Sequence, residues 1–192
     1  MAAVVGLAHA RGAKVTAHTA MLAGARAAVA GGCDCLEHGW DLDADVVDVM
    51  AAAGTVLVPT LAVFAAIDTF SRTTTIPRYG RDSEAMKRWA DRRERAEAGV
   101  RLAHARGVPL AVGSDFGGGP MRANQLNREI ESIAELGIPL WDVLAGATWR
   151  GGDLLGEPEA GRIRVGGPAD FFLVDGDPLS DVRALSRVWL VA

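Results

Sequence analysis

Two histidines and one aspartate recur at similar places in the sequence, and these residue types can bind a divalent metal ion together. His18 and His38 each lie six residues after a glycine, and Asp115 lies eight residues after another. Imidazoles and carboxylates are common zinc ligands when separate rigid elements hold them. Such an ion lowers the pKa of a water molecule toward neutrality, and an adjacent carboxylate then serves as general base. We assign all three as candidate metal ligands, with Asp115 and His38 as candidate catalytic residues.

The elements that must position these residues form a repeated unit. An alanine-rich amphipathic helix ends in a glycine, and a short apolar run rich in β-branched residues follows; the four glycines are Gly12, Gly32, Gly54 and Gly107. Glycine is expected just past a helix end where the chain turns through a left-handed conformation. The short runs are typical of parallel strands buried on both faces. Helix and strand alternating about every 20 residues predict a parallel α/β architecture.

The spacing within the units predicts that four side chains converge. Thr60 also follows its glycine by six residues, so all four offsets are even. Side chains in a strand alternate faces with period two. We therefore expect His18, His38, Thr60 and Asp115 on equivalent faces, near the carboxyl ends of their strands. In a (β/α)8 barrel that end carries the catalytic groups, so the convergence is typical of a TIM-type barrel.

The segment between Thr60 and the fourth unit contains further candidates for substrate binding. Residues 71–82 are predicted to be an irregular loop, and Ser83 to begin a helix. Arg78 and Tyr79 in this loop can bind a substrate carboxylate, although a solvated loop is the simpler interpretation. Thr60 can line the pocket or pack the barrel mouth.

The remainder of the chain is predicted to be helical and then β. A tight turn is expected at Gly117–Pro120, followed by helices at Asn124–Leu136 and Leu140–Ala147. Gly-Gly-Pro and Asp-Gly-Asp-Pro turns after residue 157 are typical of antiparallel strands. Residues 158–192 are therefore predicted to be part of a small C-terminal β-sandwich appendage.

Composition and charge exclude several classes of protein. The net charge of −4 and the absence of a Lys/Arg run argue against nucleic-acid binding. No stretch is apolar enough to cross a membrane, and the N-terminus does not read as a secretion signal. Cys33 and Cys35 lie too close along an extended chain to form a bridge, and free thiols favour a cytoplasmic location. We expect a small-molecule substrate.

Three motifs and the tail resemble a known family. VTAHT, LEHGW and VGSDFGG resemble the ends of barrel strands five, six and eight of the amidohydrolase superfamily. The resemblance implies that residues 1–157 are the C-terminal half of a (β/α)8 TIM-type barrel, with parallel strands five to eight. The helical segment after Asp115 and the tail LLGEPEAGRIRVGGPADFFLVDGDPL resemble its C-terminal part, in the imidazolonepropionase-like and Xaa-Pro dipeptidase-like branch. The resemblance implies a hydrolase of carbon–nitrogen bonds in cyclic amides, amides or dipeptides. It implies one or two divalent ions, Zn²⁺ first, bound by His18, His38 and Asp115, with Asp115 as proton shuttle.

The chain departs from that family at the other ligands. No HxH motif occurs, and Lys14 and Lys87 are its only lysines, neither in the position of the strand-four lysine. We expect an incomplete barrel that a complementary N-terminal half or a homo-oligomer completes. The alternative is a non-catalytic fragment or pseudoenzyme that retains half of the metal site. A thiol function of Cys33 and Cys35 is a weaker alternative, and core histidines bonded to backbone are the simplest structural interpretation of His18 and His38.

Overall fold

The computed structural model describes residues 1–117 and 120–192, so part of the predicted tight turn, Gly118 and Gly119, lies outside the described residues. Helices and strands alternate in the first half of the chain, and helices followed by two strands make up the second half. The α-helices and β-strands are α1 (Ala2–His9), β1 (Thr16–Thr19), α2 (Leu22–Ala30), β2 (Cys35–His38), α3 (Ala44–Ala53), β3 (Val56–Val58), α4 (Ala62–Thr73), α5 (Glu84–Ala105), α6 (Leu126–Ala134), α7 (Leu140–Ala147), α8 (Trp149–Leu155), β4 (Phe172–Val174) and β5 (Val188–Val191).

The first three strands form a parallel sheet in the order β1-β2-β3, as the repeated unit predicts. The predicted fourth strand contributes only an isolated parallel bridge between Leu57 and Leu110. Two hydrogen bonds continue the ladder there: Leu57 donates to the Pro109 carbonyl at 2.9 Å, and Ala111 donates to the Leu57 carbonyl at 3.0 Å. The carboxyl ends of four chain segments therefore lie side by side along one edge.

The glycines that end the repeated helices adopt the expected backbone conformation. Their φ angles are 71° at Gly12, 81° at Gly32, 70° at Gly54 and 79° at Gly107. These values lie in the left-handed region, which a residue without a Cβ enters at little cost. Each glycine thus turns the chain from a helix into the next strand, which explains why helices and strands alternate regularly.

The two faces of the sheet have different surroundings. Leu36 and Leu57 face the helices and belong to the main apolar core with Val47, Met50 and Val100. The opposite face carries a smaller cluster of Cys35, Val58 and Ala111. The two clusters follow from the alternation of side chains along each strand.

Several helix boundaries differ from those predicted. The predicted loop at residues 71–82 begins later, because α4 extends to Thr73 and a single 3-10 turn covers Pro77–Tyr79. α5 begins after Ser83, whose side chain accepts from the Met86 amide as predicted for a cap. α7 matches its predicted bounds. The short α8 was not predicted, since two adjacent glycines weaken its helical pattern.

The tail contains an antiparallel pair of strands, as its turn residues predict. β4 pairs with β5, and a 3-10 turn at Val182–Ser186 lies between them. Ala184 and Leu185 of that turn are buried, and Asn127 of α6 donates to the Ser186 hydroxyl at 2.9 Å. The domain boundary at residue 158 stays a prediction. None of the helices in the described ranges is both long and apolar enough to cross a membrane.

Candidate functional site

His18 and His38 meet at the carboxyl ends of β1 and β2. Nδ1 of His18 lies 2.8 Å from Nε2 of His38, and the two rings stand edge to face with centroids 4.5 Å apart. His38 is 5% exposed, whereas His18 is exposed. The pair therefore has one buried and one accessible member, with a nitrogen of each ring directed at the other.

Thr60 determines which nitrogen of His38 carries the proton. Its hydroxyl Oγ1 donates its only hydrogen to the Pro59 carbonyl at 2.8 Å. Oγ1 also lies 2.7 Å from Nδ1 of His38, so in this contact it accepts and Nδ1–H donates. This arrangement assigns the proton to Nδ1 and leaves a lone pair on Nε2, directed toward His18.

Three of the four predicted site residues share an unusual backbone conformation. The φ angles are 70° at His38, 53° at Thr60 and 51° at Asp115. Left-handed φ is uncommon for residues other than glycine and is an outlier for a β-branched one such as Thr60. Strained residues of this kind cluster at functional sites, where the surrounding structure holds them. His38 is the last residue of β2, Thr60 lies two residues after β3, and Asp115 follows the bridge at Leu110, so the strain marks one edge of the sheet.

The strand register corrects the argument from even offsets for His38. In the ladder His18 pairs with Glu37, and His38 pairs with Thr19. Simple alternation would therefore turn His38 away from His18. The left-handed φ of His38 ends the alternation and brings its ring back toward His18. Equal distances from the glycines predicted the meeting, but for the wrong geometric reason.

An aromatic cluster that the sequence did not single out packs against His38. The Trp40 ring lies 4.9 Å from that of His38, and the rings of Phe64 and Trp89 lie 4.8 Å and 5.9 Å from Trp40. The Trp40 indole N–H donates to the Pro59 carbonyl at 2.8 Å. The signal in the sequence is the Trp two residues after His38 in LEHGW, which fixes the turn after β2.

Asp115 lies near the histidine pair without completing a metal site. Its charge raises the pKa of His38, opposing the larger lowering by burial and by His18. Within residues 1–117 and 120–192, no three His, Cys, Asp or Glu side chains are grouped closely enough to hold a metal ion. Asp115 itself is exposed, and the convergence of His18, His38 and Asp115 on one ion stays a prediction.

Arg78 and Tyr79 contact each other rather than the histidines. The Arg78 guanidinium lies 4.4 Å from the centroid of the Tyr79 ring and also donates to its hydroxyl. Tyr79 in turn packs against Phe70, near the far end of α4, at 6.0 Å between ring centroids. The structure thus brings Thr60 to the histidine pair and leaves the two loop residues elsewhere. Their role in substrate binding stays a prediction.

The two cysteines are buried free thiols, as expected. Burial raises the pKa of Cys35 to about 12, with a further contribution from the charge of Glu37. Burial also raises the pKa of Cys33. A thiol that stays protonated is a poor nucleophile and a poor metal ligand. Nothing in this geometry favours a thiol function.

The sequence of the whole chain matches one family. Residues 1–190 match the profile described as the Amidohydrolase family. The chain belongs to the amidohydrolase family. It is 32% identical over 160 residues to an uncharacterized protein of Mycobacterium bovis, which covers 81% of this chain and 40% of that protein. It is also 39% identical over 84 residues to a pterin deaminase of Rhizobium rhizogenes, covering 39% of this chain and 19% of the deaminase.

A solved amidohydrolase structure resembles nearly the whole chain. A Xaa-Pro dipeptidase with methionine bound in its active site superposes with a TM-score of 0.86 and 28% identity, covering 99% of this chain and 46% of the dipeptidase. The chain therefore spans less than half the length of these relatives. The α/β fold is that of amidohydrolase barrels, and the parallel sheet is a part of one. The assignment of its strands as five to eight stays a prediction.

The histidine pair of this amidohydrolase-family chain fits half of a metal site. Two zinc ligands bound at about 2.0–2.1 Å in a tetrahedral site lie about 3.3 Å apart. The facing nitrogens of His18 and His38 are 2.8 Å apart, so a shift of about 0.5 Å accommodates an ion in tetrahedral geometry. Burial lowers the pKa of His38, which keeps that ring neutral and its lone pair available. A hydrogen-bonded outer nitrogen, here bonded to Thr60, is typical of metal-binding histidines.

Proposed function

We propose that this chain carries part of the active site of a metal-dependent hydrolase of carbon–nitrogen bonds. The substrate class is a small molecule with a cyclic amide, amide or dipeptide bond. The solved Xaa-Pro dipeptidase and the pterin deaminase both support a bond of this type. The single observation that carries the proposal is the pair of facing imidazole nitrogens, 2.8 Å apart, at the carboxyl ends of parallel strands.

The residues of this chain have distinct roles in the proposed reaction. His18 and His38 would hold the ion, Zn²⁺ in the first instance, and Asp115 would join them. A bound divalent ion lowers the pKa of water and polarises a carbonyl oxygen. Asp115 takes the proton from the attacking water and delivers it to the leaving nitrogen. Its exposure at the sheet edge suits this exchange, since it can reach both groups from solvent.

The remaining ligands must come from outside the described residues. β1 pairs only with β2 in the described part of the sheet, so its other edge has no ladder partner there. We propose that a complementary segment, corresponding to the part of the relatives that this chain does not span, pairs with this edge. A homo-oligomer is the second way to supply it. Either partner would supply the further metal ligands that the two histidines and one aspartate of this chain do not provide.

The second candidate function is a non-catalytic one. The absence of a three-ligand group from the described ranges favours a protein that retains two facing histidines without binding a metal ion tightly. Such a protein would bind a partner or a product-like molecule at the same edge. It would contain far less than one ion per chain after purification.

The test measures metal and hydrolysis on the same preparations. The purified chain is loaded with Zn²⁺, desalted, analysed for zinc, and assayed with Xaa-Pro dipeptides and cyclic amides. Asp115→Asn should abolish hydrolysis because the amide cannot take a proton, while most of the zinc stays bound because the amide oxygen can still coordinate; His38→Ala should lose both. His9→Ala is the matched control, because His9 bonds to Asp34 at 2.8 Å away from the pair. Zinc far below one ion per chain with no hydrolysis would favour the non-catalytic candidate.

A further inference from the structure

Glu129 of α6 is a fully buried carboxylate that the proposed reaction does not use. Its exposed fraction is 0%, and its Oε2 atom accepts a hydrogen bond from the Ala62 amide at 2.5 Å. Its other oxygen, Oε1, has no hydrogen-bond partner among the residues that the structure describes. A buried acidic group is unfavourable unless its surroundings stabilise it, so its presence calls for a specific role.

The carboxylate lies at the start of α4, on the turn that follows β3. The backbone N–H groups of Ala62, Leu61 and Thr60 all stabilise its ionised form. These donors lie at and just before the first turn of the helix, where amides have no partner within the helix. One side chain from α6, 67 residues away along the chain, therefore binds this turn at the Ala62 amide.

The same turn contains the most strained residue of the site. Thr60 is β-branched with a φ of 53°, and it is 2% exposed. Such a conformation persists only where the surrounding structure determines it. The hydroxyl of Thr60 is the acceptor that fixes the proton on Nδ1 of His38. A continuous chain of contacts thus runs from Glu129 through the turn to His38 and on to His18.

We propose that Glu129 is a positioning residue for His38. By accepting from the Ala62 amide, two residues after Thr60, it holds the Thr60 hydroxyl at Nδ1 and so keeps the lone pair of His38 on Nε2, facing His18. The proposal rests on the proposed function only for the use of that lone pair, as a metal ligand. The tautomer itself is a property of the chain without metal, and it can be measured there.

The ordinary alternative is that Glu129 only caps a helix. A cap contributes to stability, and its loss would leave the ring of His38 unchanged in a chain that still folds. If Glu129 instead positions His38, shortening the Glu129 side chain changes the tautomer of His38. Imidazole ¹⁵N shifts distinguish the two roles, because the protonated and unprotonated ring nitrogens resonate far apart.

The experiment uses the metal-free chain with ¹⁵N-labelled histidine, at a pH where the rings are neutral. Glu129→Asp keeps the charge but withdraws the carboxylate by one methylene, and Glu129→Gln keeps both length and an acceptor oxygen. Glu135→Asp, the same change on an exposed residue of the same helix segment, is the matched control. His38 is assigned by the loss of its signals in His38→Ala.

In wild type and in the control we expect Nδ1 of His38 protonated and Nε2 unprotonated. In Glu129→Asp the two shifts should move toward each other as both tautomers become populated, and Glu129→Gln should restore the wild-type pattern. The proposal would be overturned if folded Glu129→Asp had the His38 ¹⁵N shifts of wild type. It would also be overturned if folded Glu129→Gln did not have them. Loss of the fold in both variants would also overturn it, because Glu129 would then act in stability alone. No outcome depends on metal binding or hydrolysis, so failure of the proposed function is recognised separately.

Discussion

Thr60 and His38 are joined by a hydrogen bond of 2.7 Å, and both hold left-handed backbone conformations at the ends of neighbouring strands. The strained conformation of each residue is needed for the hydrogen bond between them. Without the left-handed φ of His38 the ring would follow the strand alternation away from His18, and without that of Thr60 the hydroxyl would leave Nδ1. Strain of this kind costs of order 1–3 kcal/mol per residue, and the buried bond between them offsets part of it.

The first prediction concerns the Thr60 hydroxyl as the partner of a metal-binding histidine. Thr60→Val keeps the shape but removes the acceptor, so the buried Nδ1–H of His38 loses its partner. Loss of such an outer contact weakens metal affinity about 10- to 100-fold. Thr60→Ser should bind nearly as wild type, because it keeps the acceptor and removes the methyl group that strains the backbone. Calorimetric titration with Zn²⁺ measures both affinities.

The matched control for this pair is Thr69→Val, an exposed threonine of α4 whose hydroxyl bonds only to the Ala65 carbonyl. It should leave the Zn²⁺ affinity unchanged. Equal affinities for Thr60→Val and wild type would show that the hydroxyl does not orient the ligand.

The sequence predicts the repeated units better than it predicts the site. The helices, their terminal glycines and the parallel pairing follow from local patterns, and β1 to β3 confirm them. The meeting of His18 and His38 depends on a positive φ in a non-glycine residue, which no periodicity reveals. Glu129 was not predicted as a site residue because its contact crosses 67 residues of sequence, and an isolated Glu within a helical pattern reads as a solvated one.

The second prediction concerns Gly146 of α7, where the helix contacts the segment that continues the sheet. A Cβ at this position would lie 2.7 Å from the Leu110 carbonyl oxygen. That oxygen belongs to the backbone and cannot swing away as a flexible side chain would. The Gly146 carbonyl also accepts from the Val112 amide at 3.2 Å. Gly146→Ala should therefore lower the free energy of unfolding by about 1–3 kcal/mol or more, as overpacking does in close-packed interiors.

Urea denaturation monitored by circular dichroism measures this change. Gly6→Ala in α1 is the control, since a Cβ there meets nothing within 4 Å. That substitution should stabilise the chain by about 0.4–1 kcal/mol, because alanine loses less backbone entropy on folding. A Gly146→Ala chain as stable as wild type would mean that α7 does not pack against residue 110.

The third prediction concerns the two thiols. Because burial raises the pKa of Cys35 to about 12 and raises that of Cys33, neither thiolate forms near neutral pH in the folded chain. A thiol reagent such as dithiobis(nitrobenzoic acid) at pH 7.5 should modify neither cysteine in the native chain and both in denaturant. The double variant Cys33→Ser, Cys35→Ser should retain the zinc content of wild type. Rapid modification of Cys33 or Cys35 in the native chain would instead support a thiol function.

The fourth prediction concerns pH and the buried carboxyl of Glu129. Burial is the main cause that raises its pKa to about 7 from an ordinary 4.5, against the opposing effect of three backbone amides. Between these two values the folded chain retains a proton that the unfolded chain has released, so the free energy of unfolding falls as the pH rises through this window. Roughly one pH unit above the folded pKa the loss is nearly complete and amounts to about 3 kcal/mol.

Glu129→Gln has no such titration, so the comparison isolates this group from all others. The stability of the variant minus that of wild type should increase by about 3 kcal/mol between pH 4.5 and pH 8, with most of the change below pH 7. Urea midpoints at five or six pH values give the difference curve. A flat curve would mean that the carboxyl titrates alike in both states, and the three amides would then balance the cost of burying its charge.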